Sequence, residues 1–137
     1  MTQAKARIDY KALALFRQEL RKFLAFSESA AAEAELTGTQ HQALLAVRGL
    51  SENGRMSVGQ LAEALLLRHH SAVELIDRLC KLGLAERASD PDDGRRVLVS
   101  LTREGERKLE ALSAAHAREL STIAPTLIAA LRDFNDG

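Results

Sequence analysis

The sequence predicts a mainly α-helical chain with a small β-hairpin wing set behind a pair of short helices. Three observations carry this. Ala72, Leu75, Ile76, Leu79 and Leu82 follow the i, i+3, i+4, i+7 spacing of an amphipathic helix with one buried stripe. Just after it, a short stretch, Leu84 to Ala88, and an apolar β-branched one, Arg96 to Leu101, flank a dense turn cluster, Ser89 to Gly94. Both ends of the chain carry long apolar-striped helical patterns.

In chain order, Ile8 to Ala34 reads as one long helix with a stripe of Leu13, Phe16, Leu20, Phe23 and Leu24. That stripe is either ordinary core or the seat of a second copy of the chain; spacing alone does not choose. The next helix opens with an S/T-x-x-E/Q capping box, Thr37 with Gln40 or Thr39 with Gln42. Its apolar face is Ala43, Leu44, Leu45, Val47 and Leu50. Ser51 to Gly54 is a turn, and Ser57 with Gln60 is a second capping box opening a helix that runs to about Leu65.

A tight bend at Leu66–Leu67 leads into the striped helix, whose first turn, Arg68-His69-His70-Ser71, has almost nothing to bury. Gly83 is the natural stop, free to adopt positive φ. Leu84 to Ala88 and Arg96 to Leu101 read as strands. Thr102 is the expected N-cap of the next helix, which continues through Leu109, Leu112, Leu120 and Ile123. Pro125 either interrupts it or occupies the first position of a final helix bearing Leu127, Ile128, Leu131 and Phe134. The order helix, bend, helix, strand, loop, strand is a winged helix-turn-helix arrangement, which offers its second helix to the DNA major groove.

Composition sets bounds. A length of 137 residues suits one domain, and 46% hydrophobic with 28% charged residues marks a globular chain. Trp is absent and aromatics are 4%, so the core is built of aliphatic side chains. Net charge is +0, so any attraction to nucleic acid has to come from local patches. The N-terminus carries charges with no apolar run behind them, so a secretory signal is not expected. No apolar segment approaches the roughly 20 residues needed to span a bilayer. The single cysteine, Cys80, allows no internal disulfide and fits a reducing cytoplasm.

Several stretches together resemble the MarR family (multiple antibiotic resistance regulators) of bacterial transcription factors. They are Leu36-Thr37, Val58 to Ala62, Val73 to Leu84 with Glu86-Arg87, and above all the wing from Asp90 to Thr102 with Glu104-Gly105 behind it. The likeness covers about Ala12 to Leu131. It implies an obligate homodimer with 8–34 and 102–137 as dimerisation helices and 36–101 as the winged DNA-binding module. It further implies a palindromic operator, repression, and often release by a small phenolic or aromatic acid. Other members respond to oxidation of a cysteine near the N-terminal end, which Cys80 does not match.

With the apolar stripe inward, 100° per residue places His70, Val73, Asp77 and Lys81 outward, His69 and Glu74 at the edges and Ser71 nearer the inner side. His69 and His70 can donate to base acceptors or phosphates, Val73 can meet a thymine methyl, and Arg68 and Ser71 complete the leading turn. Glu74 and Asp77 work against this, because carboxylates repel phosphates, though Glu can accept from cytosine N4. Asp77 with Lys81 and Glu74 with Arg78 are the expected helical pairs. Relatives commonly carry a basic or neutral residue where Glu74 stands. In the wing, Asp93 and Arg95 match the family's Asp-x-Arg pair, in which the carboxylate orients the guanidinium. Arg95 or Arg96 would enter the minor groove, and Gly94 stands where many relatives have a further Arg. From Arg55 to Lys108 ten basic residues face nine acidic ones, so charge alone does not lead to DNA.

Enzymatic and metal readings find no support. Adjacent His69 and His70 diverge on a helix, the acidic loop is out of register for calcium, and no HExxH, phosphate loop or G-x-S-x-G is present. No cofactor is expected. His41 and His116 read as isolated, structural or exposed. Tyr10, Arg21, His41 and Arg48 are the residues that chain region alone suggests for an acid-binding pocket. The rival to double-stranded DNA as partner is a protein: the same fold could present its acidic helix to a partner protein, which Glu74, Asp77 and the absent net positive charge favour.

Overall fold

A computed structural model describes residues 7–135. The N-terminal residues 1–6 considered above as a signal, and the last two of the 102–137 stretch, lie outside the described residues. Five helices and three strands follow in order: α1 (Tyr10–Glu33), α2 (Gly38–Gly49), β1 (Arg55–Ser57), α3 (Val58–Leu65), α4 (His69–Lys81), β2 (Ala85–Ser89), β3 (Val97–Leu101) and α5 (Arg103–Asn135). The chain packs as two units, residues 31–113 and a second made of the chain up to Ala30 with 114 onward.

In the 31–113 unit both expected capping boxes form. Thr37 Oγ1 accepts the Gln40 N–H at 3.1 Å while Gln40 Oε1 accepts the Thr37 N–H at 3.0 Å, and Ser57 with Gln60 repeats this. Each satisfies two backbone donors that a helix start leaves over. Three helices end alike. Glu35, Leu66 and Gly83 hold positive φ, and the residue after each donates back to the carbonyl five residues earlier. Glycine does this freely at 83. At Leu66 the left-handed conformation (φ 56°) costs about 1–2 kcal/mol. It makes the bend between α3 and α4 and leaves the Leu66 side chain 93% exposed.

Leu44, Leu61, Ile76, Leu79, Leu84 and Val99 are fully buried and form the centre of this unit. Three expected core positions fall outside it. Leu45, Leu50 and Leu82 are exposed, the last because it caps α4 rather than continuing its stripe. The sheet also has a strand that the sequence did not announce. β1 pairs antiparallel with β3, and the order is β1-β3-β2. Three residues are too few to show alternation, and β1 is a strand only because β3 pairs with it.

The junction behind the wing is close-fitted. The Thr102 N–H donates to the Leu84 carbonyl at 3.1 Å, its hydroxyl donates to Gly83 O at 2.6 Å, and its Oγ1 accepts the Gly105 N–H. Thr102 thus caps α5, as expected, and ties it to the exit of α4. Gly105 rests directly on Leu84: a Cβ there would lie 2.0 Å from the Leu84 carbonyl oxygen.

In the other unit, Ala12, Ser27, His116, Ile123 and Ala130 are buried, while Leu13, Leu20, Leu24, Leu120, Ile128 and Leu131 are exposed. His116 Nε2 lies 2.8 Å from Ser27 Oγ and meets the rings of Phe23 and Phe26 edge-on. α5 does not break at Pro125 but runs on for 33 residues. The proline removes one backbone donor, and the neighbouring Ser121 and Thr122 hydroxyls donate to carbonyls a turn back. No helix among the described residues is long and apolar enough to cross a membrane.

Gly105→Ala forces backbone apart at the Leu84 contact. It should cost about 3 kcal/mol and lower Tm by about 10 °C, read by calorimetry. A Tm unchanged within a degree or two contradicts that contact.

Candidate nucleic-acid interface

α4 shows how a helix is held by one side and offered by the other. Ala72, Leu75, Ile76 and Leu79 are buried, each of the large ones contributing about 2 kcal/mol. The N-cap is Arg68, in extended conformation with no side-chain cap, so the first turn keeps unsatisfied N–H groups and the positive end of the helix dipole. Arg68, His69 and His70 are exposed and Ser71 is partly covered. Val73 is half-buried rather than fully outward. The most exposed stripe is His70, Glu74, Arg78 and Lys81, and Val73, Asp77 and Cys80 form the half-covered stripe beside it.

That second stripe is turned toward β2. Asp77 does not pair with Lys81. It pairs with Arg87 of β2, whose other terminal nitrogen lies 3.7 Å from Cys80 Sγ. Glu74 and Arg78 likewise form no ion pair with each other or with any other of the described residues, although they stand four apart. Sequence reasoning missed Arg87 because its partner lies across the α4–β2 junction, beyond any helical spacing rule. Alternation could have found it: Arg87 sits opposite Val99, and paired residues share a face of the sheet.

The wing tip is shaped by its carboxylates. Asp90 Oδ1 accepts the Asp92 N–H at 2.9 Å, and Asp93 Oδ1 accepts the Arg95 N–H at 3.1 Å. Asp93 therefore shapes the backbone at Arg95 instead of meeting its guanidinium. The Asp90 N–H donates to Arg96 O and the Arg96 N–H to Asp93 O, which closes the loop. Arg95 and Arg96 are both exposed. They differ in surroundings, for Arg96 lines a polar cleft with Arg55, Asp90 and Asp92, and Arg95 does not.

Of the residues suggested for an acid pocket, Tyr10 and Arg21 lie on α1 and His41 and Arg48 on α2. His41 is 2% exposed, within α2. Arg48 pairs with Glu106 at 3.6 Å in a cleft that also holds Glu110, surroundings that disfavour an anion. Among the described residues no cluster of His, Cys, Asp or Glu could hold a metal.

A model of the MarR family matches residues 34–96, which run from the end of α1 to the wing. A probable transcriptional regulator from Pseudomonas aeruginosa shares 32% identity over 88% of this chain and 90% of its own, with a TM-score of 0.64. The chain belongs to the MarR family. MarR-family neighbours of lower identity share the fold. The apo MarR of E. coli superposes with a TM-score of 0.69 over 96% of this chain and 97% of its own, at 20% identity. A mutant MarR from E. coli complexed with operator DNA gives 0.68 over 93% and 92%, also at 20%. Among the matching HTH-type transcriptional regulators of Bacillus subtilis, YcgE is 32% identical over 70% of this chain and YsmB 41% over 44%. The matched stretches span only 60% and 42% of those two proteins.

The Asp77–Arg87 pair is 48% and 37% exposed, so water screens it strongly. A double-mutant cycle with Asp77→Ala and Arg87→Ala should give a coupling below about 1 kcal/mol in denaturant melts, shrinking at high salt. A coupling of several kcal/mol would show that the pair is a stability element.

Proposed function

We propose that this chain is a DNA-binding transcriptional repressor acting as a homodimer on a palindromic operator. One observation carries the reading. A single unit contains a helix buried along one stripe with its first turn exposed, and beside it an exposed arginine hairpin. Arg68, His69, His70, Ser71 and Val73 enter the major groove at the leading end of α4. Arg95, with its turn shaped by Asp93, reaches the adjacent minor groove, where narrow geometry concentrates negative potential. Arg96 is the second candidate there.

The terminal helices, 8–34 and 102–137, are the dimerisation region. Leu24, Ile128 and Leu131 are each about half exposed, and large apolar side chains in water favour burial against a second copy. Two copies then set their recognition helices about one duplex turn, ~34 Å, apart. An effector such as a small aromatic acid acts by favouring a dimer with another spacing, which shifts the population away from the DNA-competent state.

Mobility shifts against the intergenic DNA beside its own gene test this. Binding should be clear at 50 mM salt and fall steeply by 200 mM as counterions are released. Arg95→Ala and His70→Ala should each weaken it about tenfold or more. Unchanged binding removes those assignments, and no binding at low salt favours a protein partner. Leu24→Glu with Leu131→Glu should give a monomer in sedimentation that no longer shifts DNA; a dimer that persists moves the interface elsewhere.

A further inference from the structure

α4 carries two carboxylates on its outward half, and their surroundings differ. Asp77 is neutralised by Arg87 of β2. Glu74 is exposed and has no ion pair or side-chain hydrogen bond among the described residues, though Arg78 stands one turn on. It lies in the middle of the most exposed stripe, one turn beyond His70. If α4 lies in the major groove, as proposed above, Glu74 lies between two phosphate backbones. An unpaired carboxylate there is repelled, and only a donor on a base edge offsets the repulsion.

The major groove presents two kinds of exocyclic amine. Adenine sets its N6 donor beside the N7 acceptor, whose lone pair opposes a carboxylate. Cytosine offers N4 with no such neighbour on its own ring. We propose that Glu74 is the specificity-determining residue of α4, accepting a hydrogen bond from the N4 amine of one cytosine in each half-site. Its charge also penalises every duplex lacking an amine at that position, so it sharpens selection while lowering affinity for unrelated DNA. Arg87 leaves this discrimination to one residue, because it cancels the charge of the other carboxylate.

The inference rests on the DNA-binding reading, and one experiment separates their failures. The full chain and its Glu74→Ala and Glu74→Gln variants select from a pool of duplexes with a randomised central 20 base pairs. Selected sites are then measured singly. The wild type should fix one G·C pair per half-site with cytosine facing α4, and discriminate against its replacement about tenfold. Glu74→Ala should leave that pair degenerate, retain the rest of the motif, and bind unrelated duplex more tightly than wild type. Glu74→Gln should shift the preference to adenine, whose N6 and N7 match an amide. Because Glu74 is exposed, both variants should melt like wild type, and this checks that they are folded. A wild-type motif that both variants reproduce with equal discrimination overturns the role of Glu74 alone. A wild type that enriches no sequence overturns operator recognition and Glu74 with it.

Discussion

The burial of four side chains of α4, Ala72, Leu75, Ile76 and Leu79, fixes the rotation of that helix about its own axis. Everything outward follows from that rotation. It leaves His70, Glu74, Arg78 and Lys81 in water and turns Asp77 and Cys80 toward β2. A slip of one residue would move the whole set by 100° and put a different row of side chains forward. The ends of the helix are set independently, at Leu66 by a strained left-handed residue and at Gly83 by an unstrained one. The N-terminal turn is therefore placed by its neighbours while making few contacts itself.

Electrostatics plays a local part. With no net charge, long-range attraction to an anionic polymer is weak, and what remains is short-range arrangement. Carboxylates near the proposed interface are spent on structure: Asp77 on Arg87, Asp90 and Asp93 on the backbone of the wing. Asp90 and Asp93 keep their charge while shaping the turn of the wing, whereas Glu74 has neither a cation nor a turn to hold among the described residues.

The parts of the fold legible in the sequence were those set by neighbours a few residues away. Capping boxes at Thr37 and Ser57, the stop at Gly83 and the cap at Thr102 depend on contacts within one or two turns, and all form. What escaped depends on pairing at a distance. β1 needs β3, which lies over 40 residues on. The partner of Asp77 lies on a strand rather than on its own helix. Pro125 was ambiguous because its cost is about 3 kcal/mol or more, a sum that packing along a 33-residue helix can offset. At the candidate interface the leading turn of α4 was legible from its lack of apolar residues. The wheel placed Val73 and Asp77 too far outward because it assumes equal cover on both flanks, whereas β2 covers only one.

Placement of α4 in the groove is open to direct measurement. With Cys80→Ser removing the single native thiol, Lys81→Cys, on the same exposed stripe as His70, can carry a tethered iron chelate that cleaves DNA nearby. Cleavage of a bound operator should fall in two major-groove tracts about one duplex turn apart, symmetric about its centre. Cleavage spread evenly along a bound duplex, or confined to one tract, would mean that α4 is not the element seated in the groove of each half-site.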